Sequence, residues 1–138
     1  MAVTHRWSVQ LAAEFGNADI TSELEGLVRR SKIQNGALTV QLVGSTGAMT
    51  TIEYEQGALD DLRRALDTIA PVDAEYDHNA RWGDGNGFSH VRSALLKTSL
   101  SLPVVDGELM LGTWQQVVAI NLDNRPRERE LVAVLVGL

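Results

Sequence analysis

The order of apolar patterns along the chain predicts an α+β fold with a largely antiparallel sheet. Three observations carry that expectation. Seven segments read as strands against three as helices. The helices stand between groups of strands and do not alternate with them one by one, as a parallel βαβ sheet requires. The final third of the chain reads as a meander of four strands, with Asp106-Gly107 as a tight hairpin turn.

Taken in order, Arg6–Leu11 alternates, with Trp7, Val9 and Leu11 on one side and Ser8 and Gln10 on the other, the signature of a half-buried strand. Gly16 and Asn17 break it. Asp19-Ile20-Thr21-Ser22 offers cap oxygens, Ser22 and Glu25 have capping-box spacing, and Leu24, Leu27 and Val28 mark a helix running to Lys32. Leu38–Val43 and Met49–Tyr54 are strands, separated by the small-residue loop Gly44-Ser45-Thr46-Gly47. Leu59, Leu62, Leu66 and Ile69 define a second amphipathic helix that ends before Pro71. Val72–Phe88 is polar and glycine-rich and reads as a long loop, a length that usually signals function or disorder. A short helix over Ser89–Lys97 follows, then strands at Leu100–Val105, Glu108–Leu111, Trp114–Leu122 and Leu131–Val136.

Composition bounds the function. The 138 residues are one domain's worth of chain, spanning 1–138, long enough for a hydrophobic core without covalent staples. There is no cysteine, which excludes disulfides, thiolate metal sites and a cysteine nucleophile. Twelve Lys+Arg against 18 Asp+Glu leave a net charge of −6. No broad positive field is available for nucleic acid or an anionic membrane surface. With no apolar run of membrane-spanning length and no signal-peptide pattern at Met1–Gln10, the expected location is the cytoplasm.

Chemistry concentrates in a few places. Of three histidines, His5 reads as a surface residue, whereas His78 and His90 flank the glycine-rich loop and converge if it folds back. Carboxylates that could join them are Glu53, Glu55, Asp77 and Asp84; a metal held by imidazole and carboxylate would be zinc, manganese, magnesium or a similar divalent ion. The alternative for Glu53 and Glu55 is an exposed strand face. The turn Asp123–Arg129 carries Arg125 and Arg127 around Pro126, an anion clamp or else a solvated loop. Ser45 and Thr46 would add hydroxyl and backbone N–H donors to the same anion, although the loop lacks the ending of a nucleotide P-loop. Trp114 reads as core, and one of Gln115 and Gln116 faces inward, so Gln115 is a candidate polar group beside a site. No serine triad is supported.

Five ordered stretches resemble one family. Gly44–Glu53, Tyr76-Asp77-His78-Asn79, Ser89–Leu96, Leu111–Gln115 and Asp123–Arg127 are together similar to the YjbQ-like proteins, also called secondary thiamine-phosphate synthases, over the chain from Ile20 onward. The resemblance implies two antiparallel sheets packed as a sandwich with about three helices, and a homotrimer. It implies His78, His90 and Glu53 as metal ligands or acid–base groups, and Arg125 and Arg127 as a basic turn. Family members carry a His-Thr-Thr-Ala-Ala stretch; here Gly44 stands at the histidine, with Ser45 and Thr46 at the threonines. The implied reaction joins a pyrimidine-methyl pyrophosphate to a thiazole phosphate and releases pyrophosphate. Two readings follow. One is a metal-assisted enzyme of phosphate esters using His78, His90, Glu53 and Gln115, with Ser45, Thr46, Arg125 and Arg127 on the anion. The other is a non-catalytic trimer that binds a small anionic metabolite.

Overall fold

The computed structural model describes all 138 residues. It contains eight strands and four helices: β1 (Ala2–Leu11), β2 (Gly16–Asp19), α1 (Thr21–Ser31), β3 (Gly36–Val43), β4 (Gly47–Ile52), α2 (Gln56–Ile69), α3 (Asp77–Trp82), α4 (Gly87–Leu96), β5 (Ser99–Val105), β6 (Glu108–Leu109), β7 (Gln116–Asn121) and β8 (Arg127–Gly137). The strands form a five-stranded sheet, β1-β8-β3-β5-β6, and a three-stranded sheet, β2-β7-β4. Every pairing is antiparallel. The α+β expectation and the two-sheet sandwich both hold.

The core lies between the sheets. Leu38, Val40 and Leu42 of β3 and Leu131, Ala133 and Leu135 of β8 face Met49 of β4 and Val117 and Ala119 of β7, with Leu24, Leu27 and Val28 of α1 joining the same cluster. A second cluster forms on the opposite face of the small sheet, where Ala48, Val118 and Ile120 meet Leu59 and Leu66 of α2. The unbroken apolar run Val117-Val118-Ala119-Ile120 therefore serves two cores at once, odd positions facing one and even positions the other. Sheet, sheet and helix make three layers.

Several local expectations need correction. Gly16 and Asn17 do not end pairing: they begin β2, which pairs with the last four residues of β7, the central strand of the small sheet. The long loop contains α3, a six-residue helix with no buried residue, so no apolar period announced it. Glu108–Leu111 shrinks to a two-residue strand. Trp114 is not core; it is 73% exposed, on the stretch before β7. The Ser22–Glu25 box does not form. Instead the Asp19 carboxylate accepts from the Thr21 N–H at 3.0 Å and from the Thr21 hydroxyl at 2.6 Å, and that hydroxyl oxygen in turn accepts from the Val117 N–H.

Close approach of β3 and β8 fixes one glycine. A Cβ on Gly36 would stand 2.2 Å from the Val136 carbonyl oxygen, a backbone atom that cannot step aside. Gly36→Ala is expected to destabilise the protein by about 1–3 kcal/mol through overpacking, read as a lower urea midpoint with an unchanged slope.

Candidate functional site

Helix α4 carries one of the two histidines and is anchored against the small sheet. The Ser89 hydroxyl donates to the Leu122 carbonyl and the Ser93 hydroxyl to the Gly47 carbonyl, both at 2.6 Å. Phe88 is buried, and the buried Arg92 donates to the Ala70 carbonyl and to Asp67. At the start of the helix, the Asn79 side chain of α3 accepts from the Gly87 N–H at 2.8 Å. The α3–α4 connection turns back through Gly83 and Gly85, both at positive φ (73° and 71°), a conformation glycine adopts without strain.

This turn brings His78 and His90 together. Their ring centroids are 4.4 Å apart, with the planes tilted by 40°. His78 Nδ1 faces the Asp84 carboxylate at 3.5 Å, beyond good hydrogen-bond length, and is a buried nitrogen without a partner. His90 opens onto a recess of about 320 Å³ lined also by Gly44, Ser45, Ser93, Ala94, Lys97 and Thr98. Ser45 thus reaches the same space as His90, as does Lys97, a cation that the sequence did not single out.

The remaining expected residues are placed differently. Glu53 is exposed just beyond β4. Glu55 caps α2, its carboxylate accepting from the Ala58 N–H at 3.0 Å. Gln115 is exposed and occupied locally, accepting from the Gly112 N–H and donating to the Thr51 hydroxyl. Arg125 is exposed, and its carbonyl accepts from Asn121. Thr46 is buried in a polar network and does not line the recess.

That network centres on Asp123, which is fully buried. Its Oδ1 accepts from the Asn124 N–H (2.8 Å) and Asn86 (3.3 Å), and its Oδ2 from the Thr46 hydroxyl (3.1 Å) and Arg127 Nε (2.9 Å). Burial alone would raise this carboxyl, but the Asn124 N–H and the Arg127, Asn86 and Thr46 side chains together outweigh it and hold Asp123 below the ordinary aspartate value. Arg127 is therefore committed to an internal ion pair. Arg129, 6% exposed, donates through Nη2 to the Thr46 carbonyl, the Thr46 hydroxyl and Asn121 Oδ1. Burial lowers its guanidinium, Asp123 opposes that shift and Arg127 adds to it. Reading 123–129 as a surface turn missed Asp123 and Arg129. A parity signal for Arg129 was present, since it shares the face of Leu131, Ala133 and Leu135 along β8.

A divalent ion held by the protein needs three or more donors converging on one point. No three His, Asp or Glu side chains of one chain converge on a point that could hold a metal. The two imidazoles pack ring against ring and Glu53 does not join them, so the residues of a single chain do not fit zinc, magnesium or manganese.

A small antiparallel sandwich with paired imidazoles beside a hydroxyl-lined recess defines the class of protein. The family model described as UPF0047 protein YjbQ-like matches residues 5–138. A UPF0047 protein of Methanothermobacter thermautotrophicus is 41% identical over 119 residues, covering 86% of this chain and 81% of that one. One from Archaeoglobus fulgidus is 32% identical over 114 residues, covering 83% and 86%. Among solved structures, a YbjQ-like protein of unknown function from Sulfolobus solfataricus P2 superposes with a TM-score of 0.88 at 26% identity, covering all of both chains. A hypothetical protein from Aeropyrum pernix K1 gives 0.90 at 26% identity over 99% of each. The chain belongs to the UPF0047, YjbQ-like family.

Proposed function

We propose that the recess at His90 binds a phosphate ester and that the protein acts on it, either by transfer, as in the secondary thiamine-phosphate synthase reaction, or by hydrolysis. One observation carries this reading: an imidazole, a lysine and small-residue hydroxyls share one open recess, and a second imidazole backs the first. In the transfer, the thiazole nitrogen forms a bond to the pyrimidine's methylene carbon. The bond from that carbon to the pyrophosphate oxygen breaks, and its electron pair leaves on the pyrophosphate. Lys97 and Ser45, which both line the recess, would meet that departing charge. In the transfer His90 would give a proton to the departing pyrophosphate oxygen. In hydrolysis it would take one from the water whose oxygen bonds to phosphorus as the ester P–O bond breaks, and His78, packed on its ring, would hold it in place.

A homotrimer belongs to this reading. Val91 and Leu95 on α4, and Met110 and Trp114 before β7, are apolar side chains that one chain leaves in water. A neighbouring copy is also where further donors for a divalent ion would come from. Metal content of untagged protein, measured beside its mass in solution, tests both points. A monomer without bound ion would remove the trimer and the metal from the proposal.

The function itself is tested with His90→Ala and the His78→Ala/His90→Ala pair. The assays are p-nitrophenyl phosphate hydrolysis and coupling of pyrimidine pyrophosphate to thiazole phosphate. Loss of a positioned proton-transfer group should lower turnover by about 10²–10⁴-fold. Turnover unchanged in both variants defeats the site. Phosphate-ester binding by the parent with no turnover of either substrate favours the non-catalytic metabolite-binding reading instead.

A further inference from the structure

The network behind the recess holds more positive charge than it neutralises. Asp123 is its one buried carboxylate and is paired with Arg127. Arg129 lies almost wholly buried beside them with no carboxylate within ion-pair distance. A buried cation without a counter-charge is costly unless something else completes it.

The guanidinium's three nitrogens differ in what they meet. Nη2 makes all the hydrogen bonds that Arg129 donates. Nε is buried and has no partner. Nη1 also has no partner and, unlike Nε, is not fully buried. It stands 2.9 Å from where a Cβ on Gly44 would be, and Gly44 is part of the recess wall. Any side chain at position 44 would press on this nitrogen, and Gly44 also has φ 152°. Arg129 does not itself line the recess: Nη1 lies behind the wall at Gly44, with no side chain of that residue in between.

We infer that Arg129 Nη1, reached past Gly44, is the main binding contact for a phosphoryl group in the recess, with Lys97 and the Ser45 hydroxyl on its other oxygens. This deepens the function proposed above and rests on it. The ligand chemistry is that of phosphate or the terminal phosphate of an ester. A planar guanidinium N–H offers a directed hydrogen bond to a phosphoryl oxygen that the flexible lysine ammonium does not. Arg125 and Arg127 have no part in this contact, because one is exposed and the other is bound to Asp123.

The experiment is calorimetric titration of the parent, Arg129→Lys, Gly44→Ala and Lys97→Met with inorganic phosphate and with pyrophosphate, each variant checked for native circular dichroism. Arg129→Lys and Gly44→Ala should each weaken phosphate at least tenfold, and Lys97→Met less. A folded Arg129→Lys protein that binds phosphate within twofold of the parent overturns the inference, while loss in Lys97→Met alone would leave the recess reading standing. No binding of either anion by the parent sinks that reading as well. If the Arg129 and Gly44 variants do not fold, a crystal of the parent soaked in tungstate decides: an anomalous peak within hydrogen-bond distance of Nη1 supports the contact, and a peak elsewhere in the recess refutes it.

Discussion

Asp123→Asn should cost about 3–5 kcal/mol of stability, because removing one partner of a buried ion pair leaves the other charge uncompensated. Here Arg127 would lose its carboxylate partner, and Arg129 the longer-range attraction of the same carboxylate. The Asn86, Asn124 and Thr46 donors would also lose a charged acceptor. Urea unfolding at neutral pH measures the loss. The pH dependence has a definite sign: Asp123 is held below its ordinary value in the folded protein, so its contribution is complete above the unfolded aspartate pKa of about 3.9. It disappears as pH falls from there through the lower folded value. The gap between parent and Asp123→Asn should therefore be constant from pH 7 to 5 and close in acid. A gap that stays open at the acid end would show that the charge on Asp123 is not what the variant lost.

Phe88→Ala should cost a similar amount, about 3–5 kcal/mol, by opening a cavity under α4. Phe88 is 1% exposed and sits below the Arg92 guanidinium, 5.1 Å from carbon to ring centre. The same helix presents His90, so the effect extends to the recess. Amide hydrogen exchange should accelerate across Ser89–Leu96 more than across β7, whose side chains belong to two clusters that do not include Phe88. Equal acceleration in both would mean that Phe88 supports the whole fold and not this helix in particular.

The elements that could be read from sequence are those whose periods are long enough to repeat. β1, β3, β5 and β8 alternate, α1 and α2 carry apolar stripes, and β7 is a continuous apolar run. β2 and α3 escaped because four and six residues hold no full pattern, and Gly16 looked like a break when it is a paired residue. Trp114 misled for a related reason: beside Val117 and Val118 it looked like core, but the strand begins only at Gln116. Within the site, the His78–His90 pairing was legible as a hope that the glycine-rich loop folds back. The two left-handed glycines and the Asn79 contact make it a fact of geometry.

By itself the sequence determined the class of fold, the faces that strands and helices turn inward, and the residue types available for chemistry. Those follow from local periods of two and 3.6, which neighbouring residues encode directly. Only the tertiary structure decided which charges are already spent. Arg127 closes on Asp123, Arg129 reaches Thr46 across 83 positions of chain, and Lys97 and Ser45 arrive at one recess from different elements. A repeat along the chain tells which side chains share a face. The partner that covers that face is set by how two sheets and a helix layer pack, and no local pattern records it.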